Sequence, residues 1–116
     1  MDFDIKWEVL KELTETYAIS GFEEDITNML QKNINLPFSQ DGLGSCLFTK
    51  EGNGLSIMIA THMDEVGFVV REIDEQGYLY FQNVGNMWSH VLLNQKVAVI
   101  NEEKKIYYGI IGGPAV

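Results

Sequence analysis

Residues 54–67 have the sequence GLSIMIATHMDEVG, in which an apolar run leads directly to a histidine and two carboxylates. Such a strongly apolar run is typical of a strand that is buried on both faces of an α/β sheet. We therefore predict a strand over Leu55 to Thr61. Polar side chains at the carboxyl end of such a strand lie where open α/β sheets place their sites. The stretch thus predicts an α/β fold with a site that begins at His62.

His62 and Asp64 are two residues apart, so in an extended chain their side chains point to the same side. Asp64 could then orient the imidazole beside a metal ion. A lone His-x-Asp pair also fits a structural histidine held by hydrogen bonds, and the pair alone leaves both interpretations open. The other histidine, His90, is interpreted as a surface or packing residue in a loop.

Two amphipathic helices are predicted before this stretch. The first has apolar residues at helical spacing: Phe3, Trp7, Leu10, Leu13 and Tyr17. Residues 20–23 have the pattern of a capping box, in which Ser20 and Glu23 would satisfy backbone N–H groups at a helix start. The apolar face of this second helix would be formed by Phe22, Ile26, Met29 and Leu30, and the helix would fade before Pro37.

The rest of the chain reads as short strands separated by turns. Besides the strand over Leu55 to Thr61, the predicted strands are Leu43 to Thr49, Val66 to Glu72, Tyr78 to Asn83, Val91 to Ile100 and Lys105 to Ile111. The predicted turns are residues 41–44, 51–54, 74–77 and 101–103. The order is two helices followed mostly by strands.

Composition limits the partners and the compartment. Seventeen acidic residues against eight lysines and arginines give a formal net charge of -9, which opposes binding to nucleic acid and to anionic membranes. The single cysteine, Cys46, cannot form an internal disulfide. We therefore expect a cytoplasmic protein with no nucleic-acid or membrane partner. A cysteine hydrolase that pairs Cys46 with a histidine is the weaker alternative, because Cys46 lies in an apolar strand.

The sequence ATHMDEVGF at residues 60–68 resembles the glutamyl aminopeptidase or cellulase M-like family, which includes the tetrahedral, deblocking aminopeptidases. Further similar segments follow in the family's order: SGFEE at 20–24, DGLG at 41–44, GYLYF at 77–81, QKV at 95–97 and YGIIG at 108–112. The resemblance covers almost the whole chain. Departures from the family pattern fall in turns, at Ser45, at residues 86–87 and at Gly113.

The resemblance implies a metal-dependent aminopeptidase that hydrolyses N-terminal residues from peptides. His62 would be a metal ligand, Asp64 would be the catalytic aspartate that orients it, and two divalent ions, zinc or cobalt, would be bound in the intact enzyme. Residues 1–65 would form the N-terminal part of a zinc-aminopeptidase-like α/β catalytic domain. Residues 66–116 would begin a small β-barrel-like domain that mediates dimerisation, so we expect a homo-oligomer.

The resemblance also implies that most of the site is missing. In the family, the bridging aspartate, the glutamate general base and the remaining ligands lie downstream of the position matching Val116. We therefore expect a truncated and inactive chain. A different class of function also remains open, a non-catalytic β-rich module for assembly or binding.

Overall fold

The computed structural model describes residues 7–113, which form two helices, α1 (Trp7–Glu15) and α2 (Glu24–Asn33), and six strands. The strands are β1 (Phe38–Gln40), β2 (Cys46–Phe48), β3 (Gly67–Ile73), β4 (Leu79–Val84), β5 (Lys96–Ile100) and β6 (Ile106–Ile110). They pair as three antiparallel two-stranded sheets, β1 with β2, β3 with β4, and β5 with β6. Both predicted helices are confirmed, although Tyr17 and Phe22 lie outside them and Phe3 lies outside the described residues. Neither helix is long and apolar enough to cross a membrane.

The described residues divide into two compact units, one up to Gly85 and one from Asn86. The first contains both helices and the sheets β1–β2 and β3–β4. The second contains a 3-10 turn, Ser89–Val91, and the sheet β5–β6. The boundary predicted at Val66, from the family's domain organisation, stays a prediction.

The three hairpins use the same turn chemistry. In each, an aspartate or asparagine at the end of the first strand accepts, through its side-chain oxygen Oδ1, the backbone N–H four residues later. These bonds are Asp41 with Ser45, Asp74 with Tyr78 and Asn101 with Lys105, all at 2.8 Å. The residue before each donor has a positive φ, +92° at Gly44, +86° at Gly77 and 60° at Lys104. Local side-chain acceptors of this kind stabilise turns, so these three predicted turns are confirmed.

Strands β3, β4 and β6 lie where they were predicted, and two others are shorter than predicted. The chain from Val91 becomes a strand only at Lys96, because residues 89–91 form the 3-10 turn and Asn94 has a φ of 65°. Strand β2 begins at Cys46 because the residues before it form the turn. Its partner, β1, was not predicted, since three residues give too short a pattern to detect.

The strand predicted over Leu55 to Thr61 is wrong. No residue from 55 to 61 is in a strand, and Leu55, Ile57, Met58 and Ile59 are 84 to 97% exposed. A strand needs a neighbour to pair its backbone N–H and C=O groups. Within residues 7–113, no backbone hydrogen bond joins residues 55–60 to another segment. The turn predicted at residues 51–54 therefore joins no pair of strands.

The core of the first unit is small. Ala18, Ile26 and Met29 are buried, and Leu13, Leu30 and Met63 pack against them while partly exposed. Helix α2 therefore contributes most of the buried surface, and Met63 extends the core to the segment that carries His62. The candidate site thus lies beside the best-packed part of the unit.

We predict that truncating Ile26 and truncating Ile57 will have very different effects on stability. Ile26 is 3% exposed and Ile57 is 86% exposed. Ile26→Ala should lower the free energy of unfolding by about 2–5 kcal/mol through lost packing. Ile57→Ala should change it by less than about 0.5 kcal/mol, as for other surface positions. Denaturant titration followed by circular dichroism measures both, and a comparable loss at Ile57 would contradict the exposed position of this segment.

We also predict that the Asp41 carboxylate makes the free energy of unfolding depend on pH. The backbone N–H groups of Ser45 and Leu43 donate to the Asp41 carboxylate and hold its pKa below the usual 3.8. A lowered folded-state pKa adds stability that is present above the usual pKa and is lost as pH falls through the folded-state value. Asp41→Asn retains an acceptor oxygen but cannot be protonated, so it should remove this part of the acid dependence.

The measurement is the free energy of unfolding of both proteins from about pH 5 to about pH 2, the range in which carboxylates titrate. The difference between wild type and Asp41→Asn should shift with pH in favour of the variant as the solution becomes more acidic. A difference that stays constant over this range would contradict the role given to the Asp41 carboxylate.

Candidate metal centre

The segment that carries His62 is joined to the chain that follows helix α1. The backbone N–H of Glu65 donates to the carbonyl oxygen of Ala18 at 2.7 Å. In the opposite direction, the backbone N–H of Ala18 donates to the Glu65 carboxylate, Oε1, at 3.2 Å. Ile19 and Glu65 form an isolated parallel bridge. We call this connection the Ala18–Glu65 clamp, and it fixes residues 18–20 beside residues 62–65.

A glycine allows the clamp to close. A Cβ atom added to Gly67 would lie 2.2 Å from the Cγ2 atom of Ile19, a distance that side chains do not tolerate. Gly67 is also the first residue of β3, where it pairs with Val84. The missing side chain therefore lets Ile19 pack directly against the start of this strand.

Ser20 does not cap helix α2, so the predicted capping box is wrong. The helix begins at Glu24, its N-cap residue is Glu23, and no side chain caps it. The Glu23 carboxylate accepts the backbone N–H of Gly21 at 2.8 Å. Gly21 has a φ of +88°, and this left-handed turn separates Ser20 from the helix start. The Ser20 hydroxyl donates to Oδ2 of Asp64 instead.

The structure brings His62 and Asp64 together, as their spacing predicted. Nδ1 of His62 lies 3.0 Å from the backbone oxygen of Asp64 and 3.3 Å from its carboxylate oxygen Oδ1. The Ser20 hydroxyl, followed by the backbone N–H of Asp64 itself, lowers the pKa of this carboxyl group. Since both oxygens near Nδ1 are acceptors, the tautomer that satisfies them carries its proton on Nδ1.

The other imidazole nitrogen has its lone pair available. With the proton on Nδ1, Nε2 of His62 is the unprotonated nitrogen, and no described residue hydrogen-bonds to it. The His62 side chain is 84% exposed and that of Asp64 is 38% exposed. An imidazole with one nitrogen held by a backbone carbonyl or carboxylate oxygen and the other accessible is the usual arrangement of a metal-binding histidine. The available lone pair on Nε2 of His62 therefore fits a divalent ion such as zinc.

One histidine does not make a complete centre. Among residues 7–113, no group of three or more histidine, cysteine, aspartate or glutamate side chains is placed to hold a metal ion. His90 is exposed in the 3-10 turn of the second unit, as expected for a surface histidine. The half-buried Cys46 thiol lies 3.5 Å from the Thr27 hydroxyl. Among the described residues no hydrogen bond joins Cys46 to His62, so this pairing of a cysteine hydrolase has no support within the first unit.

We predict that Gly67→Ala will open the Ala18–Glu65 clamp. The added methyl group must displace Ile19, and overpacking of this kind costs about 1–3 kcal/mol of unfolding free energy. Gly54→Ala is the matched control, because a Cβ there meets no atom within 4 Å and its φ is not positive. Denaturant unfolding gives the stabilities, and amide exchange at Glu65 reports the clamp. Equal effects of the two variants would contradict this packing.

The family model and the related proteins that match this chain indicate the same family. The model of the family described as M42 glutamyl aminopeptidase matches residues 44–115. The glutamyl aminopeptidase of Lactococcus lactis subsp. cremoris is 34% identical over 110 residues, which cover 90% of this chain and 31% of the relative. This chain therefore spans about a third of the length of such relatives.

Solved structures give the same result. A TET aminopeptidase from a marine sediment archaeon of the Thaumarchaeota superposes with a TM-score of 0.83 at 36% identity, over 94% of this chain and 32% of that one. The TET1 peptidase of Pyrococcus horikoshii, which can assemble into a tetrahedron or a large octahedral shell, gives a TM-score of 0.83 at 30% identity, over 95% and 34% of the two chains. The chain belongs to the M42 glutamyl aminopeptidase family.

Proposed function

We propose that this chain supplies part of the metal centre of an aminopeptidase that removes N-terminal residues from peptides. The observation that carries the proposal is the state of the His62 ring, whose Nδ1 is held by Asp64 while no described residue hydrogen-bonds to its Nε2. His62 would bind one metal ion through Nε2. Asp64 would act through the ring, by fixing its orientation and increasing its basicity.

The donor types support zinc or cobalt as the ion. Imidazole nitrogen, the ligand atom that His62 would supply, is a common ligand of such divalent ions. Membership of the aminopeptidase family supports a centre of two ions, with a peptide as the substrate. When bound, the ions would polarise the scissile carbonyl group and lower the pKa of a water molecule. The part of this chain in that chemistry is to place and orient one imidazole.

The described residues cannot complete the centre by themselves. A catalytic zinc ion takes about three protein ligands, and the described part of the chain offers no such group. We therefore propose that the 116 residues alone bind a divalent ion weakly and do not hydrolyse aminoacyl substrates. Activity would need donors other than those of residues 7–113.

Assembly and location belong to the same proposal. The TET1 peptidase, to which this chain is similar, can assemble into a tetrahedron or a large octahedral shell. We propose that the protein works as a homo-oligomer, and that the strands from Gly67 onward belong to a small β-barrel-like domain that makes subunit contacts. We also propose that it is cytoplasmic, since its lone cysteine has no partner for a disulfide within the chain.

The test is metal binding by the whole chain and by two histidine variants. Cobalt titration followed by visible absorption, together with calorimetry using zinc, should show weak binding by the wild type. His62→Ala should abolish this binding because it removes the ligand. His90→Ala is the matched control and should bind as the wild type does. No preparation should hydrolyse an aminoacyl-anilide.

Three outcomes would count against the proposal. Absence of binding by the wild type, or equal binding by His62→Ala, would remove His62 from the metal centre. Substantial turnover by the pure chain would show that its own residues suffice for catalysis. Light scattering on His62→Ala tests the assembly module separately, because loss of the ligand should leave any oligomer unchanged.

A further inference from the structure

We propose that Ser20 is a positioning residue for the metal-binding histidine, because its hydroxyl fixes the Asp64 carboxylate, which together with the Asp64 backbone oxygen holds Nδ1 of His62. The inference rests on the proposed function, in which His62 binds an ion through Nε2. It adds a residue that lies 44 positions before Asp64 in the sequence. The sequence had indicated a different use for this serine, as the cap of helix α2.

Each oxygen of the Asp64 carboxylate has a separate partner. Oδ2 accepts the hydrogen bond from the Ser20 hydroxyl, and Oδ1 lies 3.3 Å from Nδ1 of His62. The second torsion of an aspartate side chain is broad and poorly fixed by its own geometry. Because Asp64 is partly exposed, this torsion needs an external partner to hold it. Ser20 is that partner, and its bond turns the other oxygen towards the imidazole.

Ser20 itself is placed by the backbone of the Ala18–Glu65 clamp. The residue before it, Ile19, forms the bridge to Glu65, and the residue before that, Ala18, is only 3% exposed. On the other side, Gly21 turns the chain away in a left-handed conformation. The hydroxyl is therefore presented from a fixed backbone, and the hydroxyl itself is not needed to form the clamp.

This separation distinguishes a positioning role from a structural one. The two hydrogen bonds between Ala18 and Glu65 do not involve the Ser20 side chain. The helix that follows gains no cap from Ser20. Removal of the hydroxyl should therefore leave the fold intact and release only the Asp64 carboxylate. The effect should appear at His62, in its tautomer and in its affinity for an ion.

The experiment compares Ser20→Ala and Ser20→Thr with the wild-type chain. Ser56→Ala is the matched control, because Ser56 is exposed and no described residue hydrogen-bonds to its hydroxyl. Nitrogen-15 NMR of His62 at about pH 8.5, where an ordinary histidine is neutral, reports which ring nitrogen carries the proton. Cobalt titration reports affinity, and circular dichroism checks the fold of each variant.

The wild type and Ser56→Ala should carry the proton on Nδ1 of His62. Ser20→Ala leaves only the backbone oxygen of Asp64 to hold Nδ1. It should therefore shift the ring part of the way towards the other tautomer and weaken cobalt binding about tenfold, within the usual range for loss of an outer-shell partner. Ser20→Thr retains a hydroxyl and should restore both properties. A folded Ser20→Ala protein with the tautomer and affinity of the wild type would overturn the proposal.

Two further outcomes remain decisive. If Ser20→Ala does not fold, the wild-type spectrum still tests the arrangement, because a proton on Nε2 of His62 would overturn it and a proton on Nδ1 would support it. If no variant binds cobalt, the proposed metal centre fails. The tautomer measurement then shows separately whether Ser20 controls the ring.

Discussion

The candidate site depends on the pairing of Ala18 with Glu65. Two hydrogen bonds, one through the Glu65 backbone and one through its carboxylate, join segments that are 47 residues apart. This pairing carries Ser20 to Asp64, and Asp64 in turn contacts His62. The Glu65 carboxylate is therefore part of a long-range connection of the first unit.

The sequence predicted those features whose causes are local. Helix α2 has a one-sided apolar face, and the hairpins have an aspartate or asparagine whose side chain accepts a backbone N–H nearby. The prediction of a strand over Leu55 to Thr61 was wrong because apolar composition indicates burial but does not supply a neighbouring strand that pairs with the backbone. The prediction that Ser20 caps helix α2 was wrong for a related reason. Its local pattern suited a cap, whereas its actual partner lies far along the chain.

The contact between His62 and Asp64 was predictable because two residues of extended chain place side chains on one side. The state of the ring was not predictable from spacing, since it depends on which atoms are acceptors near Nδ1. The carboxylate and the backbone oxygen of Asp64 together favour one tautomer. A short motif thus specifies proximity, and the hydrogen bonds around it specify chemistry. The hydrogen bond from Ser20 is one of those that specify the chemistry.

The exposed stretch from Leu55 to Ala60 has a consequence for how the chain behaves at high concentration. Six residues that contain no charge and no proline, with an unpaired backbone, have the composition of segments that stack into cross-β fibrils. Charged residues stand near this stretch on both sides, Glu51 before it and Asp64 and Glu65 after it. Such flanking charges act as gatekeepers, because stacked copies would bring like charges together. The acidic residues of the candidate site therefore also oppose fibril growth from the segment that leads into it.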